Sequence, residues 1–151
     1  MSDPGKTRGL ARPAILGAFD GTASYLGIIV YLASTHPALI VPTALVGAIG
    51  SGISMGGGEW LSDSESGFGA SLVMAGATFC GALLPALPFA LWHGPLAVAE
   101  SVIVCICIGI TVSMLRPKRG LGLALAETFS IMATVLGVVL LLGLVLPGGA
   151  A

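Results

Sequence analysis

The sequence predicts an all-α membrane protein with five transmembrane helices. Of its 151 residues, 56% are hydrophobic and only 9% are charged, whereas soluble domains carry about 25% charged residues. The mean hydropathy of +1.03 agrees. Six basic and seven acidic side chains are too few to solvate a soluble domain of this size. The composition therefore excludes a soluble enzyme, a nucleic-acid-binding protein and a disordered chain.

The first two spans are bounded by short polar turns. A helix needs about 20 apolar residues to cross the hydrocarbon core. The first such stretch covers roughly 13–34 and ends before the turn at 35–37. It has the length of a full span and contains Asp20, so we expect it to remain in place rather than to be cleaved as a signal peptide. The second stretch covers roughly 41–61 and ends in the polar run 62–66.

Three further spans follow with short connections. The third, roughly 67–92, contains two prolines and ends at the His93-Gly94-Pro95 turn. The fourth, roughly 96–115, is broken by the basic segment 116–120. The fifth, roughly 121–146, ends at Pro147. The sequence thus predicts one transmembrane domain over residues 1–151, with almost no mass outside the membrane.

The placement of the basic residues predicts the orientation. Five alternating crossings put all six positive charges on one side of the membrane, and basic residues concentrate on the cytoplasmic side. We therefore expect a cytoplasmic N-terminus and a C-terminus on the far side. The six residues are Lys6, Arg8, Arg12, Arg116, Lys118 and Arg119.

The cysteines give no sign of a disulfide framework or of an enzyme. Cys80, Cys105 and Cys107 all lie in apolar runs, where free cysteine behaves as a small packing residue. The chain has no nucleophile–base pair and no phosphate-binding loop. We expect no catalytic activity and no resident cofactor.

Four acidic residues fall within the predicted spans: Asp20, Glu59, Glu100 and Glu127. A carboxylate within a span is energetically expensive and indicates a functional site. At about 1.5 Å per residue, Asp20 and Glu127 lie roughly 10 Å from the cytoplasmic end of their helices. Met55 is expected at the same depth, with Glu59 one turn nearer the cytoplasm. This layer predicts a polar pathway.

Polar and small residues form stripes at helical spacing on the same spans. Close helix packing through small residues is the alternative explanation and accounts for most of the glycines, but it does not explain carboxylates in the same positions. The stripes are Gly17, Asp20, Ser24, Gly27 and Tyr31 on the first span, Ser51, Met55, Glu59 and Asp63 on the second, and Glu127, Ser130, Thr134 and Gly137 on the fifth.

The buried acids have no basic partner deep in any span, so we expect no intramembrane ion pair. They must then be protonated, hydrated or bound to a cation, which are the states of a proton-coupled cation carrier. A thioether from Met55 beside carboxylate oxygens favours a transition metal such as Fe²⁺ or Mn²⁺ over Mg²⁺ or Ca²⁺. Met55 alone is more often a packing residue.

Two acidic residues lie near the ends of the pathway. Glu100 in the fourth span, with His93 in the adjacent turn, could form an exit route or a proton acceptor; the alternative is a glutamate that reaches interfacial water. Asp63 could attract cations at the cytoplasmic mouth, or belong to a solvated acidic turn. Ser24, on the stripe of Asp20, is a further candidate for the pathway.

Three segments resemble motifs of one family, in matching order and spacing. Asp20-Gly21 in the first span looks like that family's Asp-Gly opening. Residues 53–62, ISMGGGEWLS, resemble its Ser-Met-x-x-Gly-Glu-Tyr-hydrophobic-Ser motif. Residues 81–89, GALLPALPF, resemble its Gly-Ala-x-x-Pro-x-x-Pro segment. Over nearly the whole chain, the sequence resembles the vacuolar iron transporter family.

This resemblance implies a homodimer whose first helices meet around a metal pathway. It implies export of Fe²⁺ or Mn²⁺ from the cytosol in exchange for protons, with Asp20, Met55 and Glu59 as the matching pathway residues. Glu127 has no counterpart and is included for its depth alone. A short chain of this kind suggests the plasma membrane.

The chain departs from the family pattern between the second and third spans. Many members insert a Glu-rich cytoplasmic metal-binding domain there, but only Ser62 to Gly67 remain, as in the nodulin-like branch. Trp60 replaces the usual Tyr, and Tyr31 stands where a small residue is common. Two alternative functions stay open: a membrane subunit that assembles a partner without transport, and a carrier of another small cation.

Overall fold

The structure, a computed structural model, describes residues 4–62, 67–116 and 120–145. Within these ranges the chain forms helices and no strands. Short 3₁₀ turns at Pro37–Leu39 and Leu84–Ala86 lie between some of them. The α-helices are α1 (Pro4–Thr35), α2 (Ile40–Ser62), α3 (Gly67–Leu83), α4 (Pro88–Leu91), α5 (Pro95–Met114) and α6 (Leu121–Val145).

Five of these helices are long and apolar enough to cross a membrane: α1, α2, α3, α5 and α6. This confirms the predicted all-α, multi-pass architecture within the described part of the chain. Contacts between them show that α1, α3 and α6 run in one direction and that α2 and α5 run in the other. The end of the bundle at which α1 begins is called the N-terminal end below.

The third span differs from its predicted extent of 67–92. Its helix ends at Leu83 and continues as a 3₁₀ turn and the four-residue helix α4. Pro85 and Pro88 have no backbone N–H to donate and crowd the preceding turn, which kinks or breaks an α-helix, and here the α-helix ends before Pro85. Gly94 then adopts a φ of +76°, which glycine adopts without steric cost, and the chain turns into α5.

Glycines on α1 and α2 let both helices pack tightly against α3. A Cβ added at Gly17 would meet the Met74–Thr78 turn of α3, with the Thr78 hydroxyl 2.8 Å away. A Cβ added at Gly56 would meet the Ser71–Ala75 turn, with the Ser71 carbonyl oxygen 2.8 Å away. Because lipid tails are as apolar as the helices, such close backbone approach is what holds membrane helices together.

Helices α5 and α6 form an antiparallel pair that packs against the other side of α1. The buried hydroxyl of Ser113 on α5 hydrogen-bonds the buried hydroxyl of Thr128 on α6 at 3.0 Å. Cys105, Met132 and Leu26 of α1 form a common apolar cluster. Helix α1 is therefore central, with α3 and α2 on one side and the α5–α6 pair on the other.

Candidate cation pathway

Three glycines define which sides of α1 are covered. Gly17 and Gly21 face α3, where an added Cβ would meet the backbone of Thr78. Gly27 faces α6, where an added Cβ would lie 2.6 Å from a methyl group of Val139. Successive residues turn by about 100° around a helix, so the contact with α3 and the contact with α6 border a narrow arc of α1. Asp20, Ser24 and Tyr31 lie on this arc.

The uncovered arc of α1 carries the polar residues predicted for the pathway. Asp20 is half-buried, and Ser24 and Tyr31 are exposed within the subunit. Asp20 makes no ion pair or hydrogen bond with another described residue. A carboxylate, a hydroxyl and a phenol therefore share a face of a membrane-spanning helix that its own subunit leaves uncovered.

The pathway candidates of α2 flank its contact with α3. Gly52 and Gly56 are buried on the side toward α3, whereas Met55 and Glu59 are half-buried beside them. Because residue 56 is a glycine, α2 approaches α3 closely, and the side chains of Met55 and Glu59 lie at the edge of the α2–α3 interface. Asp63, which follows at the same spacing, lies outside the described residues.

The sequence predicted that Asp20 and Met55 lie at one depth, but the structure places them at different depths. Gly17 contacts α3 at Met74 and Thr78, whereas Gly56 contacts it at Ser71 and Ala75. Along α3, the contact with Gly17 is therefore about three residues farther from the N-terminal end of the bundle. Asp20 lies three residues beyond Gly17, and Met55 adjoins Gly56. The two residues are therefore offset along the bundle axis by about five residues, or about 7 Å at 1.5 Å per residue. Asp20 and Met55 do not form one compact ligand set within the chain.

The expectation that no buried acid has a basic partner is wrong for Glu127. Its Oε2 lies 2.9 Å from Nη2 of Arg116, and both side chains are about one-third exposed, at 29% and 31%. Arg116 follows the end of α5, and its long side chain reaches past the helix end to the second turn of α6. Within the chain, Glu127 is therefore paired with an arginine.

The polar stripe of α6 faces outward. Ser130 donates to the Glu127 carbonyl at 2.9 Å, and Thr134 donates to the Ser130 carbonyl at 2.8 Å. These hydroxyls are satisfied by their own helix, which makes exposure to lipid tolerable. The stripe predicted to line a pathway therefore lies on the outside of the described bundle.

The remaining candidates are dispersed. Among the described residues, no three His, Cys, Asp or Glu side chains come close enough to hold a metal ion. Glu100 is half-buried on α5, and His93 is exposed in the turn before it.

Sequence reasoning missed two polar residues. Arg116 was counted only as a topological charge, although its reach into the membrane interface follows from its length. Ser71 of α3 is 5% exposed, and its Oγ has no hydrogen-bond partner. The signal was its spacing from Met74 and Thr78, which places the three residues on one face of α3.

Comparisons with protein-family models, with curated proteins and with solved structures found no match for this chain.

Proposed function

We propose that the chain is a homodimeric, proton-coupled transporter that moves Fe²⁺ or Mn²⁺ out of the cytosol. The observation that carries the proposal is Asp20: a half-buried carboxylate in the middle of α1, without a partner among the described residues, on the arc that the subunit leaves uncovered. The motif resemblance in the first three spans supports the same conclusion.

A second copy of the chain would cover the polar arc of α1 and shield it from lipid. An ionisable group facing lipid is strongly unfavourable, and such groups normally face a bundle interior or a water-filled cavity. If two copies meet along α1 about a twofold axis, each residue of the arc faces its own counterpart. Asp20, Met55 and Glu59 would then each be present twice, which provides the ligands that one subunit lacks.

The carboxylates supply the coupling to protons. With a divalent metal nearby the ionised form is favoured, and without it the proton-bound form avoids an uncompensated charge. Binding metal from the cytosol and taking up protons from the far side would then alternate at the same oxygens. The basic residues at the N-terminal end support a cytoplasmic orientation of that end.

The proposal is tested by metal uptake into proteoliposomes that contain a quenchable internal fluorophore, with Mn²⁺ or Fe²⁺ outside and an imposed pH gradient. The expected result is metal-dependent quenching that grows with the gradient and is lost in Asp20→Asn, which keeps the shape of the side chain but removes its charge. Melting temperature and elution volume of the variant serve as the folding control. Wild-type rates in a folded Asp20→Asn protein would refute the role of this residue.

A further inference from the structure

Ser71 stands apart from the other buried hydroxyls of the bundle. Thr78, also on α3, donates to the Met74 carbonyl at 2.9 Å. Ser113 and Thr128 bond each other across the α5–α6 interface. The Ser71 hydroxyl is equally buried yet unpartnered, and a buried polar atom without a partner is an exception that calls for an explanation.

The position of Ser71 places its hydroxyl at the seam between α1 and α2. One turn farther along α3, Met74 contacts Gly17 of α1, while Ala75 contacts Gly52 and Gly56 of α2. Ser71 lies on the α3 face between these two contact lines, since it precedes them by three and four residues.

The depth of Ser71 matches that of the pathway candidates on α2. Its own carbonyl oxygen lies against Gly56. Gly56 directly follows Met55 and lies three residues before Glu59, and both side chains are half-buried. The Ser71 hydroxyl is therefore level with the thioether and the carboxylate assigned to the cytoplasmic half of the path.

We propose that the Ser71 hydroxyl is a further oxygen ligand for the transported divalent cation, contributed by the third helix. This inference rests on the proposed function. Three observations support it: the oxygen is buried, it has no protein partner, and it lies level with Met55 and Glu59. A cation that passes the seam between α1 and α2, at the level of Met55 and Glu59, would bind the lone pairs of the Ser71 hydroxyl. The cation would then be the partner that this oxygen lacks within the chain.

The test compares Ser71→Ala with Ser113→Ala in purified full-length protein, by Mn²⁺ uptake and by Mn²⁺-induced thermal stabilisation. Ser71→Ala should raise the apparent KM for Mn²⁺ at least fivefold and weaken the stabilisation. Its melting temperature without metal should stay equal or rise, because no hydrogen bond is lost. Ser113→Ala should do the opposite, since it breaks a satisfied hydrogen bond far from the path: a lower melting temperature with an unchanged KM.

A second variant keeps the size of the side chain and changes only the donor atom. Ser71→Cys should fold as the wild type does and shift the preference from Mn²⁺ toward Zn²⁺, because sulfur is the softer ligand. If both Ser71 variants keep the wild-type KM, thermal stabilisation and metal preference while Asp20→Asn is inactive, Ser71 is not a ligand. That result would overturn this inference and leave the proposed function standing. A wild-type protein without metal uptake or stabilisation would overturn the proposed function and this inference together.

Discussion

Glu127 shows how a single long side chain decides the role of a carboxylate. By depth alone it belongs with Asp20, but Arg116 reaches it from the neighbouring helix end. The pair lies beside the hydrogen bond between Ser113 and Thr128, so an ion pair and buried hydroxyl contacts join α5 to α6 at the N-terminal end. We assign Glu127 to the stability of this hairpin and not to the path.

Replacing Glu127 by Gln should lower stability and leave transport intact. The change removes the charge that compensates Arg116. Because both side chains are partly exposed, we expect a coupling energy of about 1 kcal/mol or less in a double-mutant cycle with Arg116→Gln. Thermal unfolding of the two single variants and the double variant measures it. Loss of metal uptake at an unchanged melting temperature would instead return Glu127 to the path.

The pairing of Glu127 could not be read from hydropathy, because Arg116 was assigned to a turn. Asp20 was easier to identify, since a carboxylate seven residues into an apolar stretch is conspicuous on its own. Ser71 was overlooked for the opposite reason: its spacing from Met74 and Thr78 is visible in the sequence, but a serine in an apolar helix usually bonds its own backbone. Only the three-dimensional arrangement shows that this one does not.

At the scale of elements, glycine position determines how the helices pair. Gly17 and Gly27 belong to one stripe of α1 in the sequence pattern, yet the first packs on α3 and the second on α6. The stripe predicted close contacts but not which helix would make them, because small residues carry no partner information. The five spans themselves followed from length and apolar composition, and only the proline break after Leu83 shortened one.

Replacing Gly21 by Ala should destabilise the bundle because the added Cβ would meet backbone atoms of Thr78 and Ala82, with the Ala82 nitrogen 2.8 Å away. Backbone cannot move aside as a side chain can, so we expect a cost of about 1–3 kcal/mol. Gly76→Ala is the matched control, since Gly76 lies in the helical interior of α3 with open space around it. It should be neutral or stabilising by up to about 1 kcal/mol. Equal unfolding free energies for the two variants would contradict this packing.

At the scale of the whole molecule, the described chain leaves a polar arc of α1 uncovered. Asp20, Ser24 and Tyr31 form a polar arc that lipid would solvate poorly, whereas the polar stripe of α6 is satisfied by its own backbone. This contrast favours α1 over α6 as the face of the proposed dimer. Which side of the membrane each end faces rests on the distribution of charge.

A cysteine at Ser24 should therefore cross-link two copies through α1. In a variant whose three native cysteines are replaced, Ser24→Cys is expected to form a disulfide-linked dimer in membranes under mild oxidation, because residues near a twofold axis face their own counterparts. Thr134→Cys on the exposed side of α6 is the control and should stay monomeric on a denaturing gel. Preferential cross-linking at Thr134 would place the interface on α6 instead.

The most direct test of the account is to record Mn²⁺ entry and proton exit simultaneously on the same proteoliposomes, without an imposed pH gradient. An internal pH indicator and an internal metal indicator report the two fluxes. The expected result is that adding Mn²⁺ outside drives metal in and protons out, at a fixed ratio, and that Asp20→Asn abolishes both. Metal entry that leaves the internal pH unchanged in lightly buffered vesicles, or no metal entry through folded dimeric protein, would contradict proton-coupled exchange.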